Sequence, residues 1–324
     1  MRVFDAESVL RLLDMPSCIR AVERAFRARG EGRPAPSAMS GLELRGGSLH
    51  AKMASLELSR PYVAAKMNAN FPRNPVEHKL PTIQGVVVLF DGTNGVPLAV
   101  MDSASITTLR TAAASAVAVS LLARADASTA TFVGCGVQAR AHLEAIHHVR
   151  PLRRIFAIDT RPTIAGEFSV LARDSYGMEV TVGSSLAAAT RGSDIVVTTT
   201  PSRSALLDVA DVCPGTFVAA VGADNEHKQE IAPALLHAAT VVVDDLEQCA
   251  HFGDLHHALA AGVMRREDVR ASLDQIAAGT KPGRVDDAEI VIFDSTGLAI
   301  EDVAAAALVY ERAAATDVHS TLNC

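Results

Sequence analysis

Three small residues in one short stretch define the first chemistry this chain could perform. In Ala130-Thr131-Phe132-Val133-Gly134-Cys135-Gly136-Val137-Gln138-Ala139-Arg140, an apolar run leads into glycines and then a helix-forming segment. Gly134, Gly136 and Ala139 fit the G-x-G-x-x-G/A spacing that brings a dinucleotide pyrophosphate onto a helix N-terminus. The first glycine makes the tight turn, the second lets the backbone approach phosphate, and the small third residue lets helix and strand pack closely. A second apolar run, Arg154-Ile155-Phe156-Ala157-Ile158, ends in Asp159. That places a carboxylate about 20 residues after the turn, where it would accept from ribose hydroxyls. A glycine pattern alone is weak, but strand, turn, helix, strand and acid arrive in the required order. The expectation is a nicotinamide dinucleotide site. Asp159 favours NAD because it repels a 2′-phosphate, while Arg161 beside it could pair with that phosphate and leaves NADP possible.

Composition removes several other classes. The 324 residues are 49% hydrophobic and 21% charged, which is ordinary for a soluble globular protein of one or two domains. The net charge of -7, with no basic cluster, gives no reason to expect nucleic acid. The most apolar run, Thr111 to Ala123, is too short to span a bilayer, and Asp5, Glu7 and Asp14 do not suit a signal peptide. No membrane association is expected. Cys18, Cys135, Cys213, Cys249 and Cys324 are odd in number and never spaced C-x-x-C, which suits a reducing cytoplasm. Cys135 reads as a small spacer in the turn. His142, His147, His148, His227, His256 and His257 form no H-E-x-x-H set, so no metal site is expected.

The elements that must position these residues fall into two patterns. Two amphipathic helices are expected between Asp5 and Arg29, with Ile19, Val22 and Phe26 on one face, before Gly30 to Pro36 breaks the run. Strands follow at Leu49–Met53, Tyr62–Met67, Val86–Phe90 and Val96–Met101, the last two joined by the turn signal Asp91-Gly92-Thr93-Asn94-Gly95. Sequential hairpins imply an antiparallel sheet, followed by a helix over 105–125. From Thr129 strands alternate with helices: Thr131–Val133, Ile155–Ile158, Glu179–Val182, Ile195–Thr199, Phe217–Val221, Val241–Asp244 and Ile290–Phe293. This α/β alternation predicts a doubly wound parallel sheet. A helix over 299–315 is expected to return to the first domain.

The chain resembles the ornithine cyclodeaminase/μ-crystallin family nearly end to end. The resemblance rests on Lys66-Met67-Asn68-Ala69-Asn70-Phe71-Pro72, Leu89-Phe90-Asp91 and Ile106-Thr107-Thr108-Leu109-Arg110-Thr111-Ala112-Ala113. It continues in Gly134 to Ala139, in Val221-Gly222-Ala223-Asp224, and in Phe293-Asp294-Ser295-Thr296-Gly297-Leu298-Ala299-Ile300-Glu301-Asp302. It implies a Rossmann domain over 121–297 and a discontinuous α+β domain for substrate and dimerisation over 1–120, rejoined by 298–324. A homodimer is implied with it. Members pass a hydride between nicotinamide and the Cα of an amino acid, as dehydrogenases, imino-acid reductases or cyclodeaminases.

Such chemistry needs a cation for the α-carboxylate, and Arg110 could grip it with a bidentate fork. The alternative is a surface arginine at a helix start. Lys66 matches the family's active-site lysine, or else is a strand lysine whose head snorkels to water. Asp224 follows an apolar strand and a glycine and matches the catalytic aspartate that moves a proton at nitrogen; otherwise it caps a helix or lies in a loop. Lys228 and Glu230 are expected to shape that loop. The cofactor residues implied are Gly134, Gly136, Val137, Gln138, Ala139, Asp159, Arg161, Thr111 and Thr198, with Ser295 and Gly297 of the 294–297 turn.

One departure bears on the substrate. Cyclodeaminases carry an early arginine and an acid suited to a side-chain ammonium, whereas here the stretch reads Ser48-Leu49-His50-Ala51-Lys52-Met53-Ala54-Ser55. Arg45 or Lys52 could replace the arginine, although a slip of one residue reverses the face a strand side chain uses. A lysine in place of an acid disfavours ornithine. The expected activity is therefore exchange of hydride with a small α-imino or α-amino acid, as in a pyrroline-2-carboxylate reductase or an alanine dehydrogenase. Ornithine cyclodeaminase and a non-catalytic binder remain the alternatives.

Overall fold

The computed structural model describes residues 1–183, 185–316 and 320–321; Cys324 lies outside them. The chain forms two compact units, Met1–Ala114 with Leu298–Cys324, and Ser115–Gly297. The division falls within the helix Ser103–Leu122.

In the first unit, the helix Met15–Gly30 starts where Asp14 accepts from the Ser17 amide at 2.9 Å, with Pro16 in its first turn and Arg27 and Arg29 in its last. It buries Ile19, Val22 and Phe26, as their helical spacing requires. A sheet then forms by successive antiparallel pairing of Ser37–Leu44, Gly47–Glu57, Pro61–Asn70, Ile83–Asp91 and Pro97–Asp102. Arg2–Phe4 adds a parallel strand beside Pro97–Asp102. Two of these strands are not legible from the sequence pattern. Ser37–Leu44 is an edge strand exposed along its whole length, so it shows no burial alternation. Arg2–Phe4 is three residues long. The C-terminal helix Ala299–Thr316 packs across the inner face of this sheet, where the Tyr62 hydroxyl donates to Glu311. The helix expected over 105–125 runs Ser103–Leu122, because the Asp102 side chain caps it by accepting from the Ser105 amide at 2.7 Å.

The second unit is a parallel eight-stranded sheet. Across it the strands run Ala271–Ser272, Thr240–Val243, Val291–Asp294, Phe217–Ala220, Ile195–Thr198, Thr129–Val133, Arg154–Ile158 and Glu179–Val182. Chain order reverses between Thr129–Val133 and Ile195–Thr198, the point where doubly wound sheets bind ligands at the strands' carboxyl ends. The glycine turn leaves the sheet there. A helix long and apolar enough to cross a membrane exists, Ser103–Leu122, but most of it is buried as a core helix.

Candidate active site

Lys66, Arg110 and two carboxylates form a buried ionic cluster in the first unit. Lys66 lies on Pro61–Asn70 and only 5% of it is exposed. Its ammonium sits 2.8 Å from Asp302 Oδ2 and donates to Thr107 Oγ1 at 3.4 Å. Arg110 Nε donates to Asp302 Oδ1 at 3.1 Å and its Nη1 to Glu301 Oε2 at 2.7 Å. Glu301 and Asp302 occupy the first turn of Ala299–Thr316 and are buried. Burial pushes the Lys66 ammonium down to about 8, with Arg110 acting the same way and Asp302 opposing. Burial favours the neutral acid at Asp302, yet Lys66 and Arg110 hold its pKa below the usual value. Neither cation is a surface residue. Two of the guanidinium donors that a substrate carboxylate could use, Nε and Nη1, are engaged by the protein's own acids.

Those acids had no role in the sequence reading. Their signal was present: two adjacent acids in an alanine-rich helix that must be buried require cations beside them.

Strand register decides the face used by Lys52. It stands directly opposite Lys66 across the antiparallel pair, so both side chains leave the same face. Arg45 does not join them. It sits exposed in the turn Arg45-Gly46, where Gly46 has φ +90, and five residues of strand, about 16 Å, separate Gly47 beyond that turn from Lys52.

In the second unit the glycine turn has the expected shape. Gly134 has φ +83, and a Cβ there would meet the Thr199 carbonyl oxygen at 2.9 Å. Gly136 caps the helix Val137–Val149, and a Cβ on it would project into open space. Ala139 is buried and Val137 exposed. Gln138 Oε1 is a buried acceptor with no hydrogen-bond partner. An open glycine face, a helix N-terminus and an unpartnered side-chain oxygen together fit a dinucleotide. Cys135 is buried and its thiol is pushed up to about 12 by burial and by Asp159, so it is inert at neutral pH.

Asp159 braces this turn. Its Oδ2 accepts from the Cys135 amide at 2.9 Å, and Oδ1 accepts from the Arg161 amide at 2.8 Å and from Arg161 Nε at 3.2 Å. Burial opposes ionisation, but these donors keep the carboxyl below its ordinary pKa. Arg161 itself is exposed and held to Asp159.

Asp224 lies on an exposed loop after Phe217–Ala220, and Lys228 pairs with it at 2.7 Å. It caps no helix. Glu230 shapes the loop from beneath: fully buried, it accepts from the Gly222 amide at 2.7 Å, the Thr200 amide at 2.6 Å and Thr198 Oγ1 at 2.6 Å. The Thr198 hydroxyl is therefore committed to Glu230. Asp254 in turn accepts from the Glu230 and Ile231 amides, at 2.7 and 2.9 Å. Asp294 accepts from the Asp254 and Leu255 amides, at 3.2 and 2.9 Å. Asp244 fixes the following turn, accepting from the Thr296 and Gly297 amides at 2.7 Å and from Ser295 Oγ at 3.2 Å. Burial raises Glu230 and Asp254 and pushes Asp294 up to about 7. Acids thus organise the loops that follow Ile195–Thr198, Phe217–Ala220 and Val291–Asp294. Thr111 is buried in its helix within the first unit. Among the described residues, no group of His, Cys, Asp and Glu could hold a metal ion.

A model of the ornithine cyclodeaminase/mu-crystallin family matches residues 2–317. An alanine dehydrogenase of Archaeoglobus fulgidus is 40% identical over 323 residues, 99% of this chain and 98% of that one. Among solved structures, an archaeal alanine dehydrogenase dimer with bound NAD superimposes with TM-score 0.95 at 40% identity, covering 100% of this chain and 99% of that chain. A Thermococcus litoralis Δ1-pyrroline-2-carboxylate reductase, solved with NADH and L-proline, gives TM-score 0.95 at 32% identity, over 99% of this chain and 100% of the other.

Proposed function

This chain belongs to the ornithine cyclodeaminase/mu-crystallin family, and within it we propose that the chain is an NAD-dependent oxidoreductase of small α-imino and α-amino acids. When bound, the dinucleotide supplies a hydride from its nicotinamide to the substrate Cα, and takes one back in the reverse direction. The glycine turn Gly134–Ala139 holds its pyrophosphate, the Gln138 oxygen accepts from a hydroxyl or amide hydrogen of the dinucleotide, and Asp159 receives a ribose hydroxyl on lone pairs left by the Cys135 and Arg161 donors. Arg161 can also meet a 2′-phosphate, so NADP is accepted more weakly.

The observation that carries this reading is the pair of buried cations, Lys66 and Arg110, kept charged by Asp302 and Glu301. Together, Lys66 from the strand Pro61–Asn70 and Arg110 from the helix Ser103–Leu122, they give the substrate α-carboxylate a positive field. Asp224, exposed and paired with Lys228, delivers the proton that nitrogen needs as Cα accepts hydride and the C=N bond becomes single. The same aspartate removes that proton in the oxidative direction.

The outer face of the antiparallel sheet is the surface we assign to a homodimer. Register places Leu42, Leu44, Met53, Met67 and Val86 on that one face, and each is between 43% and 60% exposed. Such a contiguous apolar surface suits a second copy of the chain. The free thiols of Cys18, Cys135, Cys213 and Cys249 suit a reducing cytoplasm.

The test is absorbance of NADH with the pure chain, ammonium and a panel of 2-oxo acids, plus cyclic imino acids. Net NADH consumption is expected, and Asp224→Asn should lower turnover about 10²–10⁴-fold. A near-normal rate in that variant would remove Asp224 from the role. Ammonia released from ornithine with no net change in NADH would make the protein a cyclodeaminase instead.

A further inference from the structure

The backbone of Asp224 is held through the glycine two residues before it. The Asp224 amide donates to the Gly222 carbonyl at 3.1 Å. The Gly222 amide in turn donates to Glu230 Oε2 at 2.7 Å. No side chain fits at Gly222, because a Cβ there would strike the Thr200 carbonyl oxygen and Glu230 Oε1, the latter at 2.5 Å. Glu230 is fully buried in the short strand Gln229–Ile231, where Asp254 fixes it by accepting from the Glu230 and Ile231 amides. A buried carboxylate is thus connected, through one glycine, to the backbone of an exposed aspartate.

The same carboxylate takes the Thr200 amide on Oε1 and the Thr198 hydroxyl on Oε2, both at 2.6 Å. Its donors therefore come from the ends of two neighbouring strands, Ile195–Thr198 and Phe217–Ala220. The two ends do not depend on it equally. Thr199 is tied to the glycine turn by bonds of its own: its amide donates to the Val133 carbonyl at 2.9 Å and its hydroxyl to the Gly134 carbonyl at 3.0 Å. Asp159 braces that turn from the other side, and the Gly134 amide donates to the Ile158 carbonyl at 2.8 Å. On the second strand the ladder ends where the Val221 amide donates to the Thr198 carbonyl at 3.1 Å, and beyond it Glu230 receives Gly222. A glutamine at 230 would offer one acceptor oxygen and one NH₂ donor. The NH₂ settles on the Oε2 side, where the Thr198 hydroxyl can turn round and accept. The donor then left without its partner is the Gly222 amide.

We propose that Glu230 is a positioning residue for proton delivery: through Gly222 it fixes where the Asp224 carboxylate stands, while the dinucleotide turn keeps its shape without it. This assignment rests on the role given to Asp224 above and adds the group that sets its position. A carboxylate suits the task for a physical reason. Among the described residues Glu230 is paired with no cation, so its three short donors are what stabilise its charge, against the burial that pushes its pKa upward.

The experiment measures kcat and KM by NADH absorbance for the parent, Glu230→Gln, Asp224→Asn and the double variant, with pyruvate and ammonium and with Δ1-pyrroline-2-carboxylate. Nucleotide fluorescence follows NADH binding separately, and thermal melts establish that each variant is folded. Glu230→Gln is expected to lower kcat about 10–100-fold, with KM and the NADH dissociation constant within about threefold of the parent. The double variant should be no slower than the slower single variant, because a misplaced proton donor and an absent one are the same loss. Hydrogen exchange gives a readout independent of turnover: the Gly222 and Asp224 amides should exchange faster in Glu230→Gln, and the Cys135 amide should not. If Glu230→Gln does not fold, exchange in the parent decides, since an Asp224 amide that exchanges freely beside a protected Gly222 breaks the connection and overturns the assignment. A folded Glu230→Gln with parental kcat, a loss confined to NADH affinity, or losses that multiply in the double variant overturn it and leave the role of Asp224 standing. A near-normal rate in Asp224→Asn, or no NADH consumption by the parent with either imine, overturns both.

Discussion

Lys66 is a lysine whose charge the fold maintains at a cost. Moving an ammonium out of water disfavours its charged form, and Arg110 nearby adds to that, so its pKa falls from 10.5 to about 8 although Asp302 opposes the change. Between pH 8 and 10.5 the folded chain then binds fewer protons at this site than the unfolded chain does. The stability contributed by Lys66 therefore rises with pH across that window. Its capacity to hold a carboxylate moves the opposite way, since the neutral amine has no charge to offer. We expect log kcat/KM for an imino acid to fall as pH is raised through about 8, while the urea midpoint does not fall with it. A kcat/KM that stays level to pH 10 would take Lys66 out of carboxylate binding. Arg110 is a poorer test. Its removal would leave Glu301 buried without its cation, at about 3–5 kcal/mol, and the variant would report on folding before function.

At the scale of elements, the two glycines of the turn do different jobs. Gly134 is needed by the fold: its φ is +83 and the Thr199 carbonyl stands where a Cβ would be. Gly136 has φ -76 and nothing within 4 Å of a Cβ, so the folded chain tolerates a methyl there. The space beside it is what a pyrophosphate would fill. Gly136→Ala is therefore expected to leave the melting temperature within about 1 °C of the parent while weakening NADH about tenfold or more, read by protein or nucleotide fluorescence. Unchanged NADH affinity would mean the pyrophosphate does not approach this residue. The turn was legible from the sequence because its parts are close along the chain: Gly134, Ala139 and Asp159 span one strand–helix–strand unit. The loop carrying Asp224 was legible only in part. Glu230 could be expected to shape it, but its burial under the Thr198, Thr200 and Gly222 donors depends on a neighbouring strand.

For the whole molecule, the apolar outer face of the antiparallel sheet is the feature a lone chain does not account for. Leu42 is 60% exposed and Met67 49%. Replacing Met67 with Glu on that face places charge in the centre of the assigned interface without touching the inner face that carries Lys52 and Lys66. Light scattering coupled to size exclusion should then report a monomer for Met67→Glu and a dimer for the parent. A parent that elutes as a monomer would reject this interface.

Local pattern by itself determined the alternation of strand and helix from Thr129, the dinucleotide turn, the hairpin at Asp91–Gly95 and the helices at both ends of the chain. Each depends on residues within one or two elements, where periodicity and turn chemistry act directly. Tertiary structure decided what the charges do. Lys66 meets Asp302 across 236 positions of sequence and Arg110 meets Glu301 across 191, and no spacing rule reaches that far. It also decided that Lys52 shares a face with Lys66, because strand register is set by the pairing partner and a shift of one residue would have turned Lys52 outward.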